Sequence, residues 1–265
     1  MANLFFRHFY KMIETKVLLI DRLHKAIKNN FMKLYYQPQI ILVGNRLEFV
    51  GVEALIRWHD IDYGMISPGN FIPIAENSGL IGPLCEWVLH EAIRQLKRWE
   101  SDEYKKKWRI SLNVSYKQFE KENFLPMIES IMGKYNINPE KLRLELTESL
   151  LIKNTKETLN KVHDLKALGL TLSIDDFGTG DSSLSYLKQL PIDELKIDQS
   201  FIRDLTSDQN DVIIVKTIIS IGQKFGLDVI AEGVETEKQY EKLVLMGCNH
   251  FQGYLFGRPV EPLYL

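Results

Sequence analysis

Short apolar segments alternate with longer amphipathic stretches along most of this chain. In the short segments apolar and polar side chains alternate, which is typical of β-strands, whereas the longer stretches have helical periodicity. Several of those stretches stop at a glycine, a residue typical of helix ends, as at Gly169, Gly226 and Gly247. The predicted strands cover residues 33–41, 47–58, 109–115, 141–147, 170–176, 194–198, 228–232 and 249–252. The predicted helices cover residues 15–28, 71–77, 80–99, 123–135, 154–168, 210–225 and 235–246, with a further short helix from Ser182 or Ser183.

This order of elements predicts the fold class. Strands that alternate with helices over roughly 250 residues favour an α/β fold, a (β/α)8 TIM-like barrel. The first two strands are separated only by Gly44 and Asn45, a turn too short for a parallel crossover, so the first strand is predicted to be antiparallel. A doubly wound open sheet is the alternative. It fits less well because polar residues end most of the strands instead of clustering at one switch point.

The domain organisation is predicted from the segments between the strands and helices. No internal repeat, low-complexity tract or linker rich in proline and serine divides the chain. We therefore expect residues 15–265 to form one domain, and residues 1–14 to be an N-terminal arm or the remnant of a linker.

Polar residues lie near the ends of the predicted strands, and they share one face of each strand. In the segment LRLELTE, for example, Glu145 and Arg143 oppose the leucines on either side of them. If helices cover the apolar faces, the polar faces converge on one interior. The residues that would meet there are Glu53, Asn113, Glu145, Asp175, Asp176, Lys196 and Glu232.

These residue types point to metal-dependent chemistry. Carboxylate and amide oxygens suit a hard divalent cation such as Mg²⁺ or Mn²⁺. Strict alternation lapses where Asp176 follows Asp175, so both carboxylates can face the barrel mouth and Asp175 can bridge two metals. Two metals can clamp an in-line displacement at phosphorus, with Lys196 and Glu232 positioning and deprotonating the attacking water. Any one strand-end acid alone is more often an ordinary solvated loop residue, but six polar positions on six strands favour a site.

The charge and cysteine content of the chain limit the ligands that we expect it to bind. The net charge of -2 gives no basic face for long nucleic acid, which we therefore do not expect as a ligand. Cys85 and Cys248 have no metal-ligand spacing and are interpreted as reduced thiols of a cytoplasmic protein.

Two further residues have more than one possible role. Arg57 shares a strand face with Glu53 and Leu55, where it can pair either with a phosphate or with a surface carboxylate. His250 lies near a predicted barrel mouth, and packing is its expected role.

The motifs of this chain resemble those of one family, the EAL-domain cyclic di-GMP phosphodiesterases. The resemblance covers nearly the whole chain and rests on eight motifs in family order, namely YYQP, VEALIRW, SPGNFIPIAENSGLI, LNVS, LELTES, SIDDFGTGDSSLSYLKQLPIDELKID, IAEGVE and FQGYLFGRP. It implies hydrolysis of one phosphodiester of cyclic di-GMP, which gives linear pGpG. Two Mg²⁺ or Mn²⁺ ions per site are implied, and Ca²⁺ is expected to inhibit.

The resemblance also implies roles for individual residues. Glu53, Asn113, Glu145 and Asp175 would bind one metal, and Asp175 with Asp176 the second. Lys196 would contact the nucleophilic water, Glu232 would act as base or further ligand, and Glu148 would anchor the DFGTG loop that presents Asp176. The remaining positions of the motifs would contact substrate or support the site, and these are Gln37, Leu55, Arg57, Glu235 and Gln252.

Partners and alternatives complete the prediction. The resemblance implies a homodimer, and an upstream sensor or GGDEF domain that this chain does not contain and that could tether the intact protein to a membrane. A catalytically silent module that binds cyclic di-GMP is the alternative, but such a module usually lacks a metal acid, the lysine or the base. A sugar-processing barrel with paired carboxylates explains neither Asn113 nor Lys196. The chain departs from the family pattern at Asp60 and Asp181.

Overall fold

The computed structural model describes residues 17–29, 31–148, 156–180 and 187–265. The departure at Asp181, the predicted N-terminal arm and the start of the predicted short helix at Ser182 or Ser183 lie outside the described residues. Within them no helix is long and apolar enough to cross a membrane.

Strands of the described residues form one sheet that closes on itself. Its order is β1-β9-β8-β7-β6-β5-β4-β2-β3, and β1 also pairs with β2, so eight strands complete a barrel and β3 is an added hairpin strand. The strands are β1 Met32–Val43, β2 Arg46–Asp60, β3 Gly64–Ile66, β4 Arg109–Val114, β5 Leu142–Thr147, β6 Thr171–Phe177, β7 Glu194–Ile197, β8 Asp228–Ala231 and β9 His250–Gln252. Pairing is parallel from β2 and β4 through to β9, and β1 is antiparallel to β9. The predicted barrel with an antiparallel first strand is confirmed.

Helices alternate with these strands as predicted. They are α1 over residues 17–28, α2 Pro68–Ser78, α3 Ile81–Trp99, α4 Tyr116–Phe119, α5 Phe124–Tyr135, α6 Lys156–Ala167, α7 Gln199–Arg203, α8 Gln209–Phe225 and α9 Glu237–Leu245. Local chemistry sets their ends. Gly226 ends α8 in the left-handed conformation, with φ of 71°, and Thr236 begins α9 with a capping box to Gln239.

Besides single 3-10 turns, three short strands or helices were not predicted, namely β3, α4 and α7. Each has only three to five residues, which is too short to show a strand or helix period in the sequence. All three directly follow a predicted strand or the turn after it, so the predicted order of the longer elements is unaffected.

The chain divides into two compact units. The smaller contains residues 1–34 and 56–91, and its described core packs Trp58 edge-on against Phe71, with ring centroids 5.7 Å apart. Asp60 belongs to this unit, where it accepts a hydrogen bond from Arg22 at 2.8 Å and others from the backbone of the turn before β3. This family departure therefore stabilises a turn.

The larger unit contains residues 35–55 and 92–265 and carries the barrel. The register of its parallel strands aligns the predicted polar positions. Asn113 on β4 lies beside Glu145 on β5, and Asp175 on β6 lies beside Thr147 on β5. Because parallel strands end at the same edge of a sheet, these residues meet at the carboxyl end of the barrel, where barrels of this class carry their active sites.

Candidate active site

Lys196 lies at the centre of the polar residues at this end of the barrel. Its Nζ is 2.7 Å from Glu232 Oε1, 2.8 Å from Glu145 Oε2, 3.2 Å from Asp175 Oδ1 and 3.9 Å from Glu53 Oε2. The side chain of Lys196 is only 1% exposed. Four carboxylates, from β2, β5, β6 and the residue after β8, thus lie around one ammonium group on β7, as the sequence analysis expected for a shared interior.

Asp175 and Asp176 both face the site because β6 is irregular there. The β6–β7 register shifts between Ile174 and Phe177, and Asp176 has a left-handed φ of 56°, which is uncommon for a residue with a side chain. The backbone N–H of Asp176 donates to Asp175 Oδ1 at 3.0 Å. The predicted lapse of alternation is therefore present, and one ligand oxygen each from Asp175, Asp176 and Glu232 lie within 4.8 Å of one another.

Burial and crowding shift the pKa values of these groups. Burial raises the pKa of both Glu145 and Glu232 well above the usual range, although Lys196 opposes the shift in each case. Burial lowers the pKa of Lys196, but the surrounding carboxylates, Glu145 foremost, outweigh it and hold that pKa well above its ordinary value. Burial, then the charges of Asp175 and Asp198, raise the pKa of Asp176 to about 6.

Amide side chains fix the orientation of Glu53. Asn113 Nδ2 donates to Glu53 Oε1 at 2.6 Å, and Gln252 Nε2 donates to Glu53 Oε2. Gln252 in turn accepts from Gln39 Nε2 at 3.0 Å and contacts Gln37 Oε1 at 3.3 Å. Asn113 makes this hydrogen bond through Nδ2, so its Oδ1 is available to a cation or a donor.

Glu148 holds the loop that follows β6. Its Oε2 accepts hydrogen bonds from the backbone N–H groups of Gly178, at 2.9 Å, and Gly180, at 3.1 Å. Gly178 has a φ of +99°, and a Cβ there would lie 3.0 Å from Ile218 and 3.1 Å from Phe201, so glycine fits best. The loop that follows β6, two residues after Asp176, is therefore tied to the residue that follows β5.

A cavity of about 230 Å³ opens beside this cluster. Its lining includes four of the predicted substrate contacts, Gln37, Leu55, Glu235 and Gln252, together with Glu53, Asp175, Lys196 and Glu232. Sequence reasoning missed four further lining residues, namely Gln199, Gly233, Gly253 and Tyr254. Gln199 directly follows the motif ending LKID, and the other three lie inside quoted motifs, so this position along the chain was the available signal.

Two predicted positions lie elsewhere. Arg57 belongs to the smaller unit, where its guanidinium donates to the carbonyl of Ile56 at 2.9 Å, and its role in substrate binding stays a prediction. His250 is the first residue of β9 and lines a different cavity together with the first residues of β4, β7 and β8. It is thus at the amino-terminal end of the barrel, opposite the mouth that holds the acidic cluster.

Comparison with known proteins assigns the family. The family model described as "EAL domain" matches residues 20–259 of the chain. The chain is a member of the EAL domain family. This EAL domain is 41% identical over 247 residues to the bifunctional diguanylate cyclase/cyclic di-GMP phosphodiesterase MucR of Pseudomonas aeruginosa, covering 93% of this chain and 36% of MucR.

Two further relatives support the comparison. The cyclic di-GMP phosphodiesterase PdeR of Escherichia coli is 37% identical over 242 residues, a match that covers 91% of this chain and 36% of PdeR. The solved structure of the PaMucR phosphodiesterase in complex with c-di-GMP superposes with a TM-score of 0.88, at 41% identity, and covers 93% of this chain and 99% of that chain. The EAL domain thus spans little more than a third of the curated relatives MucR and PdeR.

The cluster of this EAL domain has the donor set of a hard-cation site. Glu145 is 1% exposed, and its Oε1 has no hydrogen-bond partner among the described residues. An unpartnered buried carboxylate oxygen is costly, and a cation is one group that can satisfy it. No histidine or cysteine lines the cavity within the described part of the chain, so the donors are carboxylates and amides, which suit Mg²⁺ or Mn²⁺.

Proposed function

We propose that this EAL domain hydrolyses cyclic di-GMP to linear pGpG in a site that uses two divalent cations. One observation carries the proposal, namely the charge gathered around Lys196. Five carboxylates and one ammonium surround that point, which gives -5 + 1 = -4 when all are ionised, the members being Glu53, Glu145, Asp175, Asp176, Glu232 and Lys196.

This charge supports two cations better than one. Two divalent ions contribute +4 and neutralise the cluster, whereas one ion leaves an excess charge of -2 in a buried place, where uncompensated charge is strongly unfavourable. Lys196 alone cannot balance the acids. Burial first, and then the charges of the neighbouring carboxylates, raise the pKa of Glu145 and of Glu232, although Lys196 opposes the shift. Similarity to MucR, PdeR and the c-di-GMP complex of PaMucR supports the choice of substrate.

Named residues would hold each cation. Glu53, Asn113, Glu145 and Asp175 would hold the first, and Asp175 with Asp176 the second. When bound, such cations supply Lewis-acid stabilisation of charge at phosphorus and lower the pKa of water. Mg²⁺ and Mn²⁺ fit the compact oxygen set, whereas Ca²⁺ prefers longer bonds and more ligands, so we expect it to bind and to inhibit.

The chain's own groups would handle the water and its proton. Lys196 donates hydrogen bonds from a fixed, buried position and would orient the attacking water. Glu232, 2.7 Å from Lys196, would accept the proton as the water oxygen bonds to phosphorus and the bond from phosphorus to the ribose 3′-oxygen breaks. The leaving oxygen takes up a proton, which completes the linear product.

The adjoining cavity would bind the nucleotide. Gln37, Gln252 and Glu235 offer amide and carboxylate groups that can hydrogen-bond a base or ribose, and Leu55 offers an apolar contact. Arg57 is proposed to pair with a phosphate. A homodimer, and regulation through domains outside this chain, are also proposed on the family resemblance, and sedimentation of the purified chain tests the first of these.

The alternative function is a silent module that binds cyclic di-GMP without hydrolysis. A base variant separates the two functions. Purified protein is incubated with cyclic di-GMP and Mg²⁺ or Mn²⁺, and the product is analysed by chromatography. We expect pGpG from the unmodified chain and none with a chelator, whereas Glu232→Gln should bind substrate normally and hydrolyse it about 10²–10⁴-fold more slowly.

A matched variant controls this experiment. Glu237→Gln makes the same chemical change five residues along the chain, at an exposed position in the first turn of α9, and should leave the rate unchanged. If the unmodified chain binds cyclic di-GMP but yields no pGpG with either metal, the silent module is the correct function. If Glu232→Gln loses affinity but keeps its turnover, Glu232 binds substrate instead of accepting the proton.

A further inference from the structure

The barrel has a second cavity at its amino-terminal end, where the parallel strands begin. Its volume is about 320 Å³. Polar and charged side chains from the starts of the strands line it, namely Arg109, Arg143, Glu194, Asp228, Asn249 and His250. All of them belong to the larger unit, and none lines the cavity beside Lys196.

The interior side of this cavity is built from buried polar groups. Arg143, 4% exposed, forms an ion pair with Glu194, 2% exposed, and Ser173 Oγ donates to Glu194 Oε1 at 3.1 Å. These contacts fix Glu194 and offset its charge. They do not use all the donors of Arg143, because its Nε has no hydrogen-bond partner within the described residues. A guanidinium N–H that is buried without a partner loses the hydration it had in water, which favours a partner inside the cavity.

Further side chains that can donate hydrogen bonds line the cavity beside Arg143. Arg109 is the first residue of β4, is exposed, and faces the cavity with a second guanidinium. The amide nitrogen of Asn249 adds another donor, since the bond to His250 Nδ1 is made by its oxygen. Asp228 is the one acid on the cavity that no described side chain neutralises in a direct ion pair, and it is exposed at the rim, where solvent screens it. The cavity therefore favours an acceptor-rich, negatively charged guest.

We infer that the amino-terminal cavity binds a small oxyanion, a phosphate-, sulfate- or carboxylate-bearing molecule, held between Arg143 and Arg109. Guanidinium groups match the paired oxygens of such anions in plane and spacing. The volume of about 320 Å³ is enough for a small oxyanion. This site does not depend on the proposed hydrolase function, because none of its residues belongs to the metal cluster.

His250 gives a local readout of occupancy. Burial lowers the pKa of His250, and the charged groups that face it are Asp228, Glu194, Arg143 and Arg109. An anion placed in the cavity favours the protonated imidazole, so the pKa of His250 must rise as the site fills. Sulfate is a suitable probe because it carries two negative charges and does not titrate in the range of histidine.

The test is a histidine NMR titration of the metal-free chain in sodium sulfate and in sodium chloride at matched ionic strength. We expect a saturable shift of the His250 signal and a rise of its pKa in sulfate only, while the other five histidines serve as internal references. The His250 signal is assigned with His250→Asn. Arg109→Gln should weaken sulfate binding at this site roughly tenfold or more, because a charge-assisted hydrogen bond is lost.

Arg203→Gln is the matched control. It removes the same charge from an exposed side chain of α7 that does not line the cavity, and it should leave the sulfate titration unchanged. Identical His250 titrations in sulfate and chloride would overturn the inference. So would an Arg109→Gln titration that superimposes on that of the unmodified chain. If sulfate bound only at the metal cluster, it would alter metal binding but would not shift the His250 signal. That result would also contradict binding at the amino-terminal cavity.

Discussion

Asp176 is the residue whose ionisation most directly connects the site to pH. Its pKa is raised to about 6, first by burial and then by Asp175 and Asp198, so part of the metal-free chain carries a proton on this carboxyl at pH 6. A cation binds the ionised form and displaces the proton, and the apparent affinity for metal therefore falls as the pH falls. We expect Mn²⁺ binding at pH 6 to release protons into weakly buffered solution.

Proton release can be measured with a pH indicator during the Mn²⁺ titration. Asp176→Asn removes the titrating group without changing the size of the side chain, so it should release fewer protons per bound ion than the unmodified chain. Glu145 and Glu232, whose pKa values are also raised, continue to contribute in the variant. Binding of Mn²⁺ without any proton release at pH 6 would show that the acids are already fully ionised in the metal-free site.

Residue identity and strand parity were enough to predict most of this cluster. Glu145 and Asp175 occupy the polar face of strands whose other face is apolar, so their convergence follows from a period of two. The left-handed φ of Asp176 could not be predicted, because aspartate adopts that region only rarely and only where the surrounding structure holds it there. The central position of the Lys196 ammonium group among the carboxylates could not be predicted from the sequence either, because it depends on the lengths of side chains from several strands.

At the scale of elements, the loop after β6 is tied to the site by Glu148. Glu148 accepts hydrogen bonds from two backbone N–H groups of that loop, which begins two residues after Asp176. We expect Glu148→Ala to lower activity and to raise the metal concentration for half-maximal rate, because the second cation loses a positioned ligand while the first keeps its own. Loss of such supporting partners commonly costs about 10–100-fold in affinity or activity.

Rate measured against Mg²⁺ concentration checks this role of Glu148. Glu148→Gln is the matched variant, since it retains a carbonyl oxygen as acceptor and should give an intermediate curve. Curves that superimpose for Glu148→Ala and the unmodified chain would mean that the loop does not depend on Glu148.

The turn after β8 is a second element on which the chemistry depends. Gly233 follows Glu232 with a φ of +66°, and a Cβ there would lie 2.6 Å from Gln199 Cβ. Gly226, at the end of α8, has a similar φ of +71° but no atom within 4 Å of such a Cβ. Gly226→Ala should therefore cost only the backbone strain, roughly 1 kcal/mol of unfolding free energy, with activity unchanged.

Gly233→Ala should cost more stability and also lower the rate, because relief of the clash displaces either α7 or the base. Urea unfolding and turnover of both variants give the comparison. Equal turnover in the two variants would show that the position of Glu232 does not rely on this close approach to Gln199.

The sequence predicted the strands and helices that are long enough to show a hydrophobic period. The strands from β4 onwards and the helices α5 and α8 agree with their predicted bounds to within about two residues. The bulge in β6 and the short helix α7 lie where tertiary contacts override the local pattern. Helix α7 supplies Gln199 to the cavity and Phe201 to the packing around Gly178. Such features are set by neighbours distant in sequence, so one chain read alone does not disclose them.

For the whole molecule, the barrel has two polar ends that differ in charge. The carboxyl end gathers five carboxylates around one lysine, whereas two arginines and two acids line the cavity at the amino end. The chemistry of the first end was predictable because the donor types and the family motifs agree. The second end was not predicted, because the strand starts that carry Arg109 and Arg143 are separated widely in sequence, and the family motifs assign no role to either arginine.

The central claim, a site in which two divalent cations support hydrolysis, is tested most directly by titrating Mn²⁺ into the metal-free chain. Free Mn²⁺ is counted by electron paramagnetic resonance, and pGpG formed from cyclic di-GMP is measured in the same samples. We predict two bound ions per chain, and a rate of pGpG formation that rises in proportion to the occupancy of the second ion. At the same total Mn²⁺, the rate in Glu53→Gln should be at least 10–100-fold lower. Full turnover with one bound ion per chain, or in the presence of excess chelator, would contradict the claim.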